Sequence, residues 1–302
     1  MIPTLRRHGK LRRVLDRLER QSSPARFELL VVADAAEPDP AGLDAVLAGR
    51  PYPARRLVGS RPGASAARNA GVRAAAAPLV LFLDDDVLPE QQLVAEHLSW
   101  HERHPGEEGG VLGLVRWADE LRVTPFMRWL ERGVQFDFAR IDGEEAGWGR
   151  FYTSNASVKR GMLERVGGFD EERLPFLYED LDIAYRMQAH GFRLLFNPRA
   201  TGEHLHEMTI EDLRARVPLL AASERAFCAK HPEIPPYFLE MFRQAAAAPP
   251  ARGRLSWLAP VVPPEVPVIG RRVWDTVESR FKQALAPNYL RAWEEQDEAS
   301  AS

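Results

Sequence analysis

The sequence contains a single cysteine, Cys228, so no intrachain disulfide can form and the chain suits a reducing compartment. Cys228 lies in a helical pattern with no recognisable base beside it, which points to a structural role rather than nucleophilic catalysis. Long apolar runs are also missing. None reaches the roughly 18 to 20 residues of a membrane-spanning helix, because Pro78, Asp84 and the prolines after Leu258 interrupt the best candidates. The start, Met1-Ile2-Pro3-Thr4-Leu5-Arg6-Arg7, lacks the apolar centre of a signal peptide. Neither sign of charge dominates: 40 basic against 43 acidic side chains leave a net charge of −3, and the field of the whole molecule gives no reason to expect a nucleic-acid partner. These absences predict a cytoplasmic protein, either free or peripheral at the inner face of the membrane. A length of 302 residues gives room for one large α/β domain with an appendage, or for two domains.

What the sequence does have is concentrated around Leu79-Val80-Leu81-Phe82-Leu83-Asp84-Asp85-Asp86-Val87. Consecutive large apolar residues after Pro78 predict a strand buried on both faces of a parallel sheet, and the carboxylates mark its carboxyl edge, where open α/β folds bind ligands. Adjacent carboxylates repel one another unless a cation sits among them. Asp84 and Asp86, two residues apart, can reach the same point, which favours a divalent metal carrying a phosphate; a solvated acidic turn is the plainer alternative.

Earlier in the chain, Leu11, Val14, Leu15 and Leu18 recur at helical spacing, and Phe27 to Val32 reads as a strand running into Asp34. Asp34 is placed either to accept from a nucleobase or ribose or to make a turn. In Gly63-Ala64-Ser65-Ala66-Ala67-Arg68-Asn69-Ala70-Gly71, Gly63 and Ser65 form a loop and cap exposing amide donors at a helix start. Arg68 can grip a diphosphate with its planar fork, or be an ordinary exposed helix arginine.

His97, His101 and His104 are three or four apart on a predicted helix over 90–104, yet no carboxylate stands at a ligand position, so packing or surface roles are favoured. Val111 to Val115 is a further strand. Residues 117–150 hold Trp117, Trp129, Phe136, Phe138 and Trp148 among glycines and charges, suited either to an acceptor-binding wall of aromatic faces or to core packing.

Further on, Asn155, Gly167-Gly168-Phe169-Asp170, Tyr178-Glu179-Asp180-Leu181-Asp182 and Arg186 precede Gly191, which closes a predicted helix. Carboxylates at the start of that helix are stabilised as anions, and such an anion can deprotonate a hydroxyl or simply complement the dipole.

Taken in order, Asp34 after its strand, the Gly63–Gly71 stretch, Phe82-Leu83-Asp84-Asp85-Asp86, Gly167-Gly168-Phe169-Asp170 and Glu179-Asp180 resemble family 2 glycosyltransferases of the GT-A fold. The resemblance spans about Met1 to His206. It implies an α/β class, a three-layer α/β/α mostly parallel sheet, and an inverting, non-processive hexosyltransferase-type enzyme. That enzyme would move one sugar from a nucleoside diphosphate sugar to a hydroxyl of a sugar or lipid-linked acceptor, in polysaccharide, glycolipid or cell-envelope glycan synthesis. It implies Mg2+ or Mn2+ as cofactor, held by Asp86 with Asp84 and by His204, with His206 as the alternative to His204. Asp84 or Asp85 would face the ribose, Asp34 the base, Arg68 the phosphates, and Thr4 the nucleotide. Asp180 would be the general base, with Glu179 and Asp182 shaping the acceptor pocket, and Asn155 and Trp148 would contribute to substrate binding.

Ala33-Asp34 replaces the family's paired aspartates, and the first strand is short enough that residues could precede the given start. The Q-x-x-R-W element of processive synthases is absent after Asp180, in keeping with one sugar per encounter. A nucleotidyltransferase or phosphohydrolase would also use the first acidic cluster, and a catalytically silent nucleotide or glycan-binding module would keep both clusters without turnover.

The expected domains are a catalytic domain over 1–210, with a nucleotide-sugar half to about 115 and an acceptor half from about 116. A helical extension over 211–290 and a disordered acidic tail over 291–302 follow. A basic amphipathic helix around Val273, Trp274, Val277, Phe281 and Leu285, with Leu255, Trp257 and Leu258, could contact anionic lipid or pack on the protein itself.

Overall fold

The computed structural model describes residues 1–22, 27–251, 259, 262 and 266–301, of which 297–301 by backbone alone. The chain divides into two units, Met1–Leu121 with Phe138–His206, and Arg122–Asp137 with the chain from Glu207 onward.

In the first unit, β1 (Ile2–Thr4), α1 (His8–Leu18), β2 (Leu29–Ala33), α2 (Gly42–Leu47), β3 (Ala54–Val58), α3 (Ala64–Ala74) and β4 (Leu79–Leu83) come first. Then follow β5 (Val87–Pro89), α4 (Leu93–Arg103) and β6 (Gly109–Trp117). An eleven-residue helix such as α1 is marginal by itself. It is held by fully buried Leu11, Val14 and Leu15 and by Leu18, each worth about 1.5–3 kcal/mol on burial. The first unit resumes after residue 137 and ends with β7 (Asn155–Lys159), α6 (Arg160–Arg165), α7 (Glu179–Gln188) and β8 (Arg193–His204).

β1 and β3 flank β2 in parallel, and a second ladder runs in the order β4-β7-β6-β8-β5. Main-chain bonds from Leu83 N to Met1 O (3.1 Å) and from Met1 N to Leu81 O (2.6 Å) set β1 beside β4, so the two ladders meet there. Strand order turns back at that junction, the place where α/β sheets bind ligands.

The sheet is parallel from β3 to β4 and between β6 and β8, but β7 runs against both β4 and β6, and β5 against β8. β7 is reversed because Trp117, the end of β6, pairs with His204 at the same edge where Leu83 pairs with Asn155, the first residue of β7. The excursion from 118 to 154 starts and finishes at the carboxyl edge, and an antiparallel return needs no crossover helix. Under the sheet, Phe82, Phe151, Val158, Ile183 and Met187 form one fully buried cluster.

The second unit holds α5 (Pro125–Leu130), α8 (Ile210–Lys230), α9 (Tyr237–Ala247) and α10 (Ile269–Ala301). Thr209 and Asp212 start α8 with a capping box. Buried Glu224 accepts from the backbone of Phe238 (2.7 Å) and Leu239 (2.9 Å) at the start of α9 and from the Tyr289 hydroxyl on α10. Phe281 packs on Phe126 and Trp129, with ring centroids 5.1 and 5.4 Å away, and Arg132 pairs with Glu278.

Three sequence expectations change here. Residues 122–137, expected in the acceptor half, group with the C-terminal helices, because Phe126 and Trp129 are core for α10 rather than an exposed wall. The 291–302 tail, expected to be disordered, is helical as far as Ala301, since Leu285, Tyr289 and Ala292 continue a buried stripe. The stripe of Val273, Trp274, Val277 and Leu285 that could have met lipid is itself buried. Leu255, Trp257 and Leu258 lie outside the described residues. Among the described residues no helix is long and apolar enough to cross a membrane.

Candidate active site

The site forms at the carboxyl edge where β1 meets β4. Leu83 ends β4, the chain turns through Asp84-Asp85-Asp86, and Val87 N closes the turn on Asp84 O at 3.3 Å. β5 then pairs with β8 so that Val87 faces His204. That register sets the His204 imidazole against Asp86, with Nε2 3.5 Å from Oδ1, while Leu205 N donates to Asp86 O at 2.8 Å.

Asp85 turns back to β1 instead, where it accepts from the Thr4 hydroxyl at 2.6 Å. Arg7 bridges the two buried aspartates, its Nη1 lying 3.2 Å from Asp85 Oδ1 and 2.7 Å from Asp86 Oδ2. Lys10 Nζ and His206 Nδ1 both stand 3.7 Å from that same Asp86 oxygen.

These surroundings separate the acids. Burial would raise Asp86, but hydrogen bonds to His204 and His206 and the charge of Arg7 outweigh it and hold the carboxyl well below its usual range. Asp85 is pushed up to about 6 by burial and by the charge of Asp86, against the pull of Arg7 and Thr4. Burial also raises Asp84, with Arg68 opposing.

The second cluster depends on two loops that lock together. Gly63 precedes α3 at φ +134°, and a Cβ there would stand 2.9 Å from Pro175 O, so only glycine fits. Ser65 N donates to Pro175 O at 3.2 Å. Asn69 exchanges both bonds with the Phe169 backbone, at 2.9 Å each, and thereby fixes the Gly167-Gly168-Phe169-Asp170 turn. Leu177 and Tyr178 then take left-handed φ values of 58° and 62°, an uncommon conformation for non-glycine residues, and aim the start of α7 at α3.

Across that junction Arg68, 5% exposed, donates to Glu179 Oε1 at 2.6 Å, reaches Asp84 at 3.7 Å and lies over the Phe169 ring at 5.8 Å. Arg68 Nε and Glu179 Oε2 are both buried without a hydrogen-bond partner. Paired buried atoms of this kind call for an explanation, and a ligand is one. Asp180, next on α7, accepts a local bond from Leu181 N at 2.9 Å. Burial and then the charge of Glu179 push its carboxyl up to about 7, with Arg68 opposing.

Thr4, Asp84, Asp85, Asp86 and His204 thus come together in one cluster and Arg68, Glu179 and Asp180 in the next, joined through Arg68 and Asp84. Asp34 sits beside them, its N bonded to Thr4 O, but its oxygens accept from Ala36 N and Gly63 N, so it makes the turn. Asn155 is not a surface of the cleft. It is fully buried, bonded to His97, Leu114 O and Ala200 O, because it ties β7 to its neighbours in the sheet.

Asp182 is likewise fully buried and grips Arg186 at 2.8 Å, which in turn holds the carbonyls of Val166 and Gly168; it supports the turn rather than a pocket. His97 and His101 are core residues bonded to Ser157, and burial pushes His97 down to about 4, leaving it neutral. Trp148 opens a short turn, Trp148–Arg150, and meets the Tyr185 ring of α7 edge-on at 4.9 Å, half-buried.

Arg7, Lys10 and Glu37 were not distinguishable in sequence, since nothing local marks Arg7 among Arg6, Arg12 and Arg13. Among the described residues no three His, Cys, Asp or Glu side chains form a complete metal centre by themselves. The carboxylate of Asp86, with the imidazoles of His204 and His206 3.5 and 3.7 Å from it, offers part of a donor set for Mn2+, the remainder of which phosphate oxygens would have to supply.

The model of the family described as "Glycosyltransferase like family 2" matches residues 1–222. Validoxylamine A glucosyltransferase of Streptomyces hygroscopicus subsp. limoneus is 30% identical over 271 residues, covering 78% of this chain and 57% of the relative. The uncharacterized glycosyltransferase YfnE of Bacillus subtilis (strain 168) is 25% identical over 270 residues, covering 72% and 68%. The chain therefore spans about three fifths of the length of the validoxylamine A glucosyltransferases it matches.

In fold it is similar to the mannosyltransferase PcManGT from Pyrobaculum calidifontis, solved with GDP-Man and Mn2+, with a TM-score of 0.58 at 19% identity over 96% of this chain and 73% of that one. It is also similar to S. aureus TarS in complex with UDP, with a TM-score of 0.55 at 13% identity over 99% and 90%. With a family model matched over residues 1–222 and neighbours of the GT-A fold, this chain belongs to glycosyltransferase family 2.

Proposed function

We propose that the chain is a metal-dependent inverting glycosyltransferase that moves one sugar from a nucleoside diphosphate sugar to a hydroxyl acceptor. The observation that carries the proposal is the Arg68–Glu179 pair, which sets a diphosphate-gripping guanidinium against the turn that presents Asp180, a half-buried acid raised to about 7. A base is most useful when its pKa lies near the working pH.

In this reading Asp180 takes the proton of the acceptor hydroxyl. The acceptor oxygen then bonds to the anomeric carbon as the bond from that carbon to the diphosphate oxygen breaks, and the configuration inverts. Arg68 holds the departing diphosphate through its free Nε–H. Thr4 and Asp85 line the nucleotide side, and Asp34 fixes the Gly63 loop beside them. Asp86 with Asp84, His204 and His206 would hold the divalent cation, which when bound neutralises charge on the leaving diphosphate.

Trp148 and Tyr185 offer an aromatic face beside α7 for the acceptor. The name of the validoxylamine A glucosyltransferases suggests glucose as the transferred sugar.

Calorimetric titration of the full chain with UDP, GDP, CDP and dTDP, each with Mn2+ and with EDTA, tests the donor site. Solved neighbours carry GDP-Man in one case and UDP or UDP-GlcNAc in another, so the titration also separates those two donors. Tight binding of one nucleotide only with Mn2+ is expected; no binding to any of them contradicts the proposal.

A further inference from the structure

Asp86 Oδ2 is approached by three nitrogen groups from two elements: Arg7 at 2.7 Å, Lys10 at 3.7 Å and His206 at 3.7 Å. Asp86 is 2% exposed, whereas the side chains of Arg7 and Lys10 are 36% and 34% exposed. The acid is therefore fixed in the floor, while the cations reach it from the solvent side on flexible stems. Two long side chains from one helix start hold their charged groups against the Asp86 oxygen that a bound cation would need.

The helix start is itself held in place. Arg6 adopts φ +56°, unusual for a residue with a side chain, and its backbone N–H is accepted by Glu37 Oε2. Glu37 is 7% exposed. Its other oxygen stands 3.4 Å from His8 Nε2 and accepts from Asp39 N at 3.2 Å, and its own N–H donates to Asp34 O at 2.9 Å. A buried carboxylate in the loop after β2 thus hydrogen-bonds the residue before Arg7 and lies against the ring of the one after it. Residues held off their preferred backbone by a buried partner mark function more often than accident.

We propose that Arg7, aimed by Glu37 and assisted by Lys10, is a built-in counter-cation that holds the divalent metal's place against Asp86 and gives it up when the metal and donor arrive. The exchange is ionic and involves no covalent step. One guanidinium charge leaves Asp86, a divalent cation takes its place, and the freed guanidinium then faces the added negative charge of the diphosphate. The Arg7 contacts keep the adjacent buried carboxylates compensated, which would otherwise be costly. Glu37 is a positioning residue, acting through the backbone of Arg6 and the ring of His8. The proposal rests on the reading of Asp86 as a metal ligand.

The test is calorimetric titration of the full chain with MnCl2, without nucleotide, for wild type, Arg7→Gln and Glu37→Gln, each also with Asp86→Ala. If Arg7 competes with the metal, Arg7→Gln binds Mn2+ at least about tenfold more tightly than wild type, and Asp86→Ala removes that binding. A gain of affinity is not what general damage to the fold produces. Glu37→Gln leaves both aspartates their cation, so it stays informative even where Arg7→Gln fails to fold; it is expected to tighten Mn2+ by a smaller factor. Equal or weaker Mn2+ binding by both variants overturns the exchange alone. No Mn2+ binding by any of the proteins, with or without UDP, overturns the metal site and the exchange with it.

Discussion

Asp86, buried, and Asp180, half-buried, are aspartates of one cleft, and their surroundings drive them in opposite directions. Asp86 is ringed by Arg7, Lys10, His204 and His206, and its carboxyl is held below the usual range. Asp180 has no cation of its own, since Arg68 is taken by Glu179, and its carboxyl rises to about 7. The first environment makes a permanent anion, fit to bind a cation; the second makes a group that can take and release a proton near neutrality. The division of labour follows from which acid is given the cations.

The largest effect that would break this comparison is on Asp180. Asp180→Asn is expected to lose transfer by about 10²–10⁴ while keeping nucleotide binding with Mn2+, read by product formation and calorimetry. The same variant should be more stable at pH 8. Folded Asp180 holds its proton up to about 7 against an ordinary 3.8, so its contribution is full below that ordinary value and is lost as pH rises through 7. A thermal melt of both proteins at pH 5 and pH 8 checks the sign.

Next comes the link between the clusters. Arg68→Met strands Glu179 as a buried unpaired charge and is expected to cost about 3–5 kcal/mol of stability, read as a lowered denaturant midpoint. Replacing Arg68 and Glu179 together by Met and Gln should recover much of that stability without recovering transfer.

On the binding side, Asp86→Ala is expected to weaken nucleotide with Mn2+ by about tenfold or more and to change it little with EDTA. Unchanged affinity with Mn2+ would remove Asp86 from the metal reading. The smallest effect is at the aromatic face: Trp148→Ala should raise KM for the acceptor severalfold and leave Mn2+-dependent nucleotide affinity unchanged.

Much of this was readable in the sequence because ordered motifs carry chemistry at strand and helix ends. Asp84, Glu179 and Asp180 stand at such ends, and Arg68 on α3 reaches both Asp84 and Glu179. What misled was burial of polar side chains inside the fold. Asn155 and Asp182 sit inside the matching motifs yet are used entirely within the protein, Asn155 to tie strands and Asp182 to hold Arg186. Asn155 donates to carbonyls of other strands, and Asp182 holds an arginine whose own partners are the carbonyls of Val166 and Gly168, links that no local pattern reveals.

The roles of Arg7 and Glu37 were hidden for a related reason. Their partners lie 78 and 31 residues away along the chain, and each depends on a turn whose left-handed residue, Arg6, carries no glycine to announce it. The excursion at 122–137 was misassigned because aromatic residues suit a sugar-binding wall and a helix core equally well, and only the partner, Phe281 on α10, decides between them.

The most direct test of the contrast between a bound anion and a titrating base is the pH dependence of turnover, followed as sugar transfer or as slow hydrolysis of the donor identified by titration. The rate should rise with pH through an apparent pKa of about 7 and then level off, because Asp180 must lose its proton to act. In Glu179→Gln the limb should move to lower pH, since the neighbouring negative charge is gone. A wild-type rate that is flat from pH 5 to pH 8, with its acid limb at ordinary carboxylate values, would contradict the assignment of Asp180 as the base.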